Sequence, residues 1–149
     1  MYRQSRPPRT VLAALFVLFL VGPVPSAVAA DLIVTVSGAK TDEGEIGCAL
    51  YASADGFPMD PEPATRQFHT PRAGSAECRF EGVEPGTYAL AVSHDLNGNR
   101  RTDTGLFGIP KEAWGVSNNV RPAMRAPRFS EAAFDIGTST VRLTVEVSR

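Results

Sequence analysis

The chain is short of the features that would assign it at a glance. Its 149 residues include two cysteines, two histidines and one tryptophan, and its charges nearly cancel at a formal net charge of −1. The lack of a basic excess argues against a nucleic-acid binder, which neutralises phosphates with clustered Lys and Arg. Beyond the first thirty residues no apolar stretch approaches the ~20 residues of a membrane helix, so no span is expected in the rest of the chain. No segment sustains the period of a long amphipathic helix, and there is no internal repeat or low-complexity tract. "GVSNN" at 115–119 is not the G-x-S-x-G of a nucleophile elbow. The sequence therefore offers no residue set for catalysis by a nucleophile elbow.

What is present begins with residues 1–30, which read as an export leader. Arg3, Arg6 and Arg9 precede an apolar run from Val11 to Val21, and "GPVPSAVAA" then supplies small residues for a cut after Ala29 or Ala30. An apolar run of eleven residues is too short to cross a bilayer. No cysteine follows for lipid attachment. Without its leader the chain keeps 12 basic and 16 acidic side chains, which moves the net charge from −1 to −4. Residues 31–149 then form one domain with a modest core, placed in the periplasm or outside the cell. In that oxidising setting Cys48 and Cys78 are expected to pair. Closing that loop would contribute about 3–4 kcal/mol in the chain-entropy account. The alternative, two buried thiols, holds if their strands are not neighbours.

The remaining pattern alternates with a period of two. Leu32, Val34 and Val36 share a face, as do Ile46, Cys48 and Leu50, then Cys78 and Phe80, then Tyr88, Leu90, Val92 and His94, and finally Val141, Leu143, Val145 and Val147. "TRQFHT" at 65–70 is a weaker edge strand, and "FSEAAF" at 129–134 a single helical turn capped by Ser130. The fold expected is all-β, an antiparallel β-sandwich of about seven strands, immunoglobulin-like or prealbumin-like, with one long irregular loop over 95–128. The Pro85-Gly86 turn leading into Tyr88 resembles the corner of transthyretin-like sandwiches, where a tyrosine buries its ring and bonds backbone through its hydroxyl.

Within the long loop, Asp95, Asn97, Asn99 and Asp103 set oxygen side chains at every second residue and then four further on. That spacing matches the opening of a calcium loop, and hard oxygens suit calcium better than softer metals. Arg100 stands where the sharp-turn glycine would be and Leu106 where the closing glutamate would be, so an EF-hand is excluded. Glu112 or Asp135 are the carboxylates that would complete a different calcium site. The other reading is an Asx-rich turn whose side chains bond their own backbone. His94 and Asp95 are strand neighbours pointing to opposite faces, so they make a poor catalytic dyad. Trp114, Ser117 and Asn118 offer an aromatic plate with hydroxyl and amide groups, suited to a sugar, a peptide or another small molecule. Arg121, Arg125 and Arg128 add positive charge nearby.

The stretch "GTYALAVSHDLNGNRRTDTGLFGIPKEAWGVSNN", with "APRFSEAAFDI" after it, resembles the secreted bacterial family called domain of unknown function 2141. The shared pattern runs G-x-Y-A, H-D-x-N-x-N-x-x-x-D, G-x-P-x-E, G-x-S-N and P-x-F-x-x-A-x-F. Arg100 departs from it, replacing a glycine or small residue. The resemblance implies a scaffold and an export route and brings no activity with it. Three roles remain open: a binding module for a small molecule, glycan or envelope protein; a small hydrolase using His94 with a loop carboxylate; and a structural envelope protein. An aromatic-lined surface with His94 buried would favour the first, and His94 exposed beside Asp103 or Glu112 the second.

Overall fold

Alternating apolar residues build two sheets whose inward faces meet around Cys48 and Cys78. The computed structural model describes residues 28–106 and 110–149. The expected leader lies outside the described residues as far as residue 27, as do Phe107 and Ile109. Within the described residues the strands are β1 (Ala30–Ser37), β2 (Glu45–Tyr51), β3 (Thr65–His69), β4 (Ser75–Val83), β5 (Gly86–Asp95), β6 (Trp114–Val116), β7 (Phe134–Ile136) and β8 (Val141–Glu146). Ala30 is already part of β1 and pairs with Val83.

The smaller sheet runs β4-β1-β8, and the larger β3-β2-β5-β6, with β7 also paired to β5. The fold is the expected all-β sandwich, with two differences. Strand β8 lies parallel to β1, so the pairing is not wholly antiparallel. The segment expected as one irregular loop contains β6, and β7 follows it. Both lie along one edge of β5, β6 against Ala91–Ser93 and β7 against Gly86–Tyr88. Neither strand is long enough to show an alternation, which is why the pattern missed them.

The core carries the inward sets read from the sequence: Leu32, Val34 and Val36 of β1, Ile46 and Leu50 of β2, Leu90 and Val92 of β5, and Val145 of β8, all nearly inaccessible. Cys48 and Cys78 are bonded across the two sheets, with Cα atoms 6.5 Å apart. The Tyr88 hydroxyl donates to the Glu84 carbonyl at 3.0 Å, the corner contact expected of it. The helical turn α1 runs Phe129–Ala132, and its cap is Arg128, not Ser130. Glu131 reaches back to the Arg128 N–H at 2.8 Å and satisfies that donor.

Two glycines set how the elements meet. Gly44 has φ +73°, and a Cβ there would fall 2.2 Å from the Asp95 carbonyl oxygen, so only glycine lets this turn reach the end of β5. A Cβ on Gly115 would fall 2.3 Å from the Glu146 carbonyl oxygen. Strand β6 thereby lies close against the end of β8, and Trp114 exchanges two backbone hydrogen bonds of 3.1 Å with Ser148.

Candidate functional site

The polar loop leaves the end of β5. Asp95 is 1% exposed, and its carboxylate accepts from the Gly98 N–H at 2.8 Å and from the Arg100 N–H. These donors replace the water that a buried carboxylate gives up. The Oδ1 atoms of Asn97 and Asn99 accept from the N–H two residues on, at 3.0 and 2.8 Å. Their amide groups donate to the Asp103 carboxylate at 2.7 and 2.9 Å. Buried Glu112 clamps the base, accepting from the N–H of Leu96 at 3.0 Å and of Asp103 at 3.2 Å.

The structure thus brings Asp95, Asn97, Asn99 and Asp103 into one bonded loop. Each of their oxygens already meets an N–H donor, so a calcium ion would have to compete with those donors. Among the described residues no three His, Cys, Asp or Glu side chains are grouped as a metal site requires. Asp135 is far from the loop: it lies on β7, where it accepts from the Thr87 hydroxyl at 2.7 Å. Asx turns account for the loop's shape. Arg100 takes φ 58°, a left-handed conformation that glycine adopts most freely. Its guanidinium meets Glu45 at 3.2 Å and lies 4.5 Å from the centre of the Phe68 ring.

His94 is 3% exposed and holds the turn before β2. Its Nε2 lies 2.8 Å from the Glu43 carbonyl oxygen. A carbonyl only accepts, so Nε2 carries the proton and is committed to that bond. Among the described residues the ring makes no hydrogen bond to a loop carboxylate, and it is closed off from solvent.

A wide opening lies on the outer face of the five-stranded sheet. Between the core positions of β2 and β5 stand Gly47 and Ala49, and Ala91 and Ser93. Gly47 lies opposite Ser93, and Ala49 opposite Ala91. The register carries the first of these rows outward to Phe68 on β3 and Trp114 on β6. Small residues in the middle and rings at both ends make a trough about 14 Å across, three strand spacings. The 53–63 loop closes one end, and the 121–127 segment rises over the side. The space so enclosed has a volume of about 800 Å³.

Specific bonds hold these walls. The Tyr51 hydroxyl donates to the Asp60 carbonyl at 3.2 Å, and burial, then the Asp60 charge, pushes its pKa up to about 12. Arg125 and Glu131 form a two-pronged pair at 2.6 and 2.8 Å. The hydrogen bonds from Arg125 and from the Arg128 N–H hold the Glu131 carboxyl down at about 2. Arg121 stacks 4.1 Å from the Trp114 ring centre and donates to the carbonyls of Trp114 and of Ser148, the latter at 3.1 Å.

Of the three residues expected to bind a ligand, only Trp114 lines this trough. The Ser117 hydroxyl is buried, accepting from the Leu90 N–H at 3.0 Å and donating to the Ala132 carbonyl. The Asn118 amide donates to the carbonyls of Glu131 and Ala133 at 3.2 and 3.0 Å. Both bolt α1 to the sheet, so their polar groups are spent on backbone. Arg121 and Arg125 do line the trough, whereas Arg128 caps α1. Sequence reasoning missed the floor and Phe68. Small residues alternating with large ones on two adjacent strands were the available signal.

The family model described as "Uncharacterized protein conserved in bacteria (DUF2141)" matches residues 34–144. No curated protein and no solved structure matches the chain. The chain belongs to the DUF2141 family.

Proposed function

We propose that this DUF2141 family member is an exported binding module, which takes a small molecule in the trough on the outer face of its larger sheet. The observation that carries this reading is the trough itself: about 800 Å³, floored by small residues and walled by Phe68 and Trp114. That volume lies within the range of small-molecule sites, which combine apolar walls with a few polar groups. Met59 and Met124 stand at its edge, 41% and 94% exposed, and give it adaptable apolar lips. The burial of His94 favours binding over hydrolysis, because the side chain offered as a base is committed to a carbonyl. Export is supported by the leader reading and by the Cys48–Cys78 bond, which persists in oxidising compartments. The polar loop serves the site mechanically, placing Arg100 and Arg101 at one end of the trough.

The neutral dye N-phenylnaphthylamine tests the reading, because its emission rises in an apolar cleft. The wild-type protein should enhance the dye. Ala49→Phe, which fills the floor from the solvent side, should abolish the enhancement while leaving the melting temperature near that of wild type. Unchanged enhancement in a folded Ala49→Phe protein would remove the trough as the site.

A further inference from the structure

Arginine is concentrated around this trough in a way the composition does not explain. Arg66, Arg100, Arg101, Arg121, Arg125 and Arg149 line it, and among the described residues no lining side chain is Asp or Glu. The chain as a whole carries a net charge of −1. A cleft of one sign on a protein of the other sign is a recognition feature, because low-dielectric walls focus its field.

The arginines differ in how far they are already neutralised. Arg66, Arg100 and Arg125 pair with Glu62, Glu45 and Glu131, which stand outside the lining. Arg101, Arg121 and Arg149 make no ion pair with a carboxylate side chain among the described residues. Arg121 and Arg100 each lie over one of the two aromatic walls, at 4.1 and 4.5 Å from the ring centres. The row Phe68–Gly47–Ser93–Trp114 therefore has a guanidinium at each end and an uncharged floor between them. An anion by itself would gain nothing from that floor, and a neutral apolar molecule nothing from the guanidiniums.

Resting on the binding reading above, we infer that the occupant is a small amphipathic acid: a free carboxylate on an apolar chain of medium length. The chain lies over Ala49 and Ala91 between the two rings, and the carboxylate meets Arg101, with the Arg121 charge adding to the field from the Trp114 wall. Arg101, whose guanidinium makes no hydrogen bond or ion pair among the described residues, offers a planar fork that matches a carboxylate. The raised walls of the trough admit a free molecule and keep a flat bilayer surface from its floor, so the occupant is the free acid and not a lipid headgroup in a membrane.

Trp114 is the chain's one tryptophan, so its emission reports on this site alone. The full exported protein is titrated at pH 7 with octanoate, octanol, octylammonium and inorganic sulfate, and with anionic phospholipid vesicles. Octanoate should shift the emission and bind about tenfold or more tighter than octanol, the scale of one charge-assisted contact. Sulfate and vesicles should leave the emission unchanged, and octylammonium should bind more weakly than octanol. The variant Arg101→Gln should lose most of the preference for octanoate and keep its affinity for octanol. Arg142→Gln, on the other sheet, should behave as wild type. Equal affinity for octanoate, octanol and octylammonium would overturn the anion inference and leave the binding reading standing. A response to vesicles without one to octanoate would overturn it in favour of a membrane surface. No response to any chain-bearing probe would overturn both.

Discussion

The inward side chains of β2 and β5 are Ile46, Cys48, Leu50, Leu90, Val92 and His94; the outward ones include Gly47, Ala49, Ala89, Ala91 and Ser93. Both sets hang on the same two backbones in the same register. The inward set is large and fills the space between the sheets. The outward set is small between Gly47 and Ala49 on β2 and Ala91 and Ser93 on β5, while a second group of apolar residues from α1 and the 53–63 loop packs at its Ala89 end and reaches Ala91 and Trp114. What remains open is the trough. Side-chain size, alternating along a strand, thus divides one sheet into a face that stabilises and a face that is left to bind.

Breaking the inner face should have the largest effect. The double variant Cys48→Ala/Cys78→Ala releases the bond between the sheets and should cost about 3–4 kcal/mol, measured by denaturant unfolding. Dye binding should survive wherever the variant remains folded, because the sulfurs point away from the trough. Loss of the dye in a folded variant would show that the two faces are coupled.

The polar loop ranks next. Asp95→Ala leaves the Gly98 and Arg100 N–H groups without their acceptor, and should cost about 1.5–3 kcal/mol. His94→Ala removes a buried ring and its bond to Glu43, and should cost about 1–3 kcal/mol. Since the loop oxygens already meet N–H donors, millimolar calcium should move the wild-type melt by less than about 1 °C, well under the shift that 1 kcal/mol gives. A rise of several degrees that Asp103→Ala abolished would restore the metal reading.

The inner face was legible because burial enforces alternation. Val34, Cys48, Leu90 and Val145 announce their side of the strand, and the pairing of Cys48 with Cys78, expected from an oxidising setting, is compatible with their shared inward parity. The outer face was not legible. Gly47, Ala49, Ala91 and Ser93 carry no hydrophobic signal, and their meaning depends on which strands become neighbours. Trp114 was visible as a lone aromatic, but its partner Phe68 is set by a register that no local pattern fixes. Ser117 and Asn118 misled for the same reason: a hydroxyl and an amide in a loop look available until α1 is placed against them. Arg100 stands where the loop pattern leads one to expect glycine or a small residue, and its backbone takes the left-handed conformation that glycine favours.

Ala49→Phe sharpens the comparison from the other side. Filling an open face creates no cavity and buries no unpaired polar group, so stability should change by no more than about 0.5 kcal/mol, as for ordinary surface substitutions. Binding should nonetheless be lost. A loss of several kcal/mol would mean that the outer face is packed as tightly as the inner one.

The smallest effect is expected where the trough's wall is tied by charge. The Glu131 carboxyl is held at about 2 by the Arg125 guanidinium and the Arg128 N–H, below its ordinary 4.5. A carboxyl with a lowered folded-state pKa contributes stability that is present above its unfolded value and is lost as the pH falls through the folded one. The contribution of this pair is therefore present above about 4.5 and fades toward about 2. Because the pair is exposed, solvent screens it and the change in global stability should be slight. Its local effect should be clearer, since Arg125 belongs to the segment that rises over the trough. In nuclear magnetic resonance the Arg125 side-chain N–H signal should keep its position down to pH 4.5 and then move with a midpoint near 2. In Glu131→Gln that transition should vanish, and the signal should sit at its unpaired position throughout. A midpoint near the ordinary carboxyl value in the wild type would show that the pair does not hold this wall, and that the trough is more open than its floor requires.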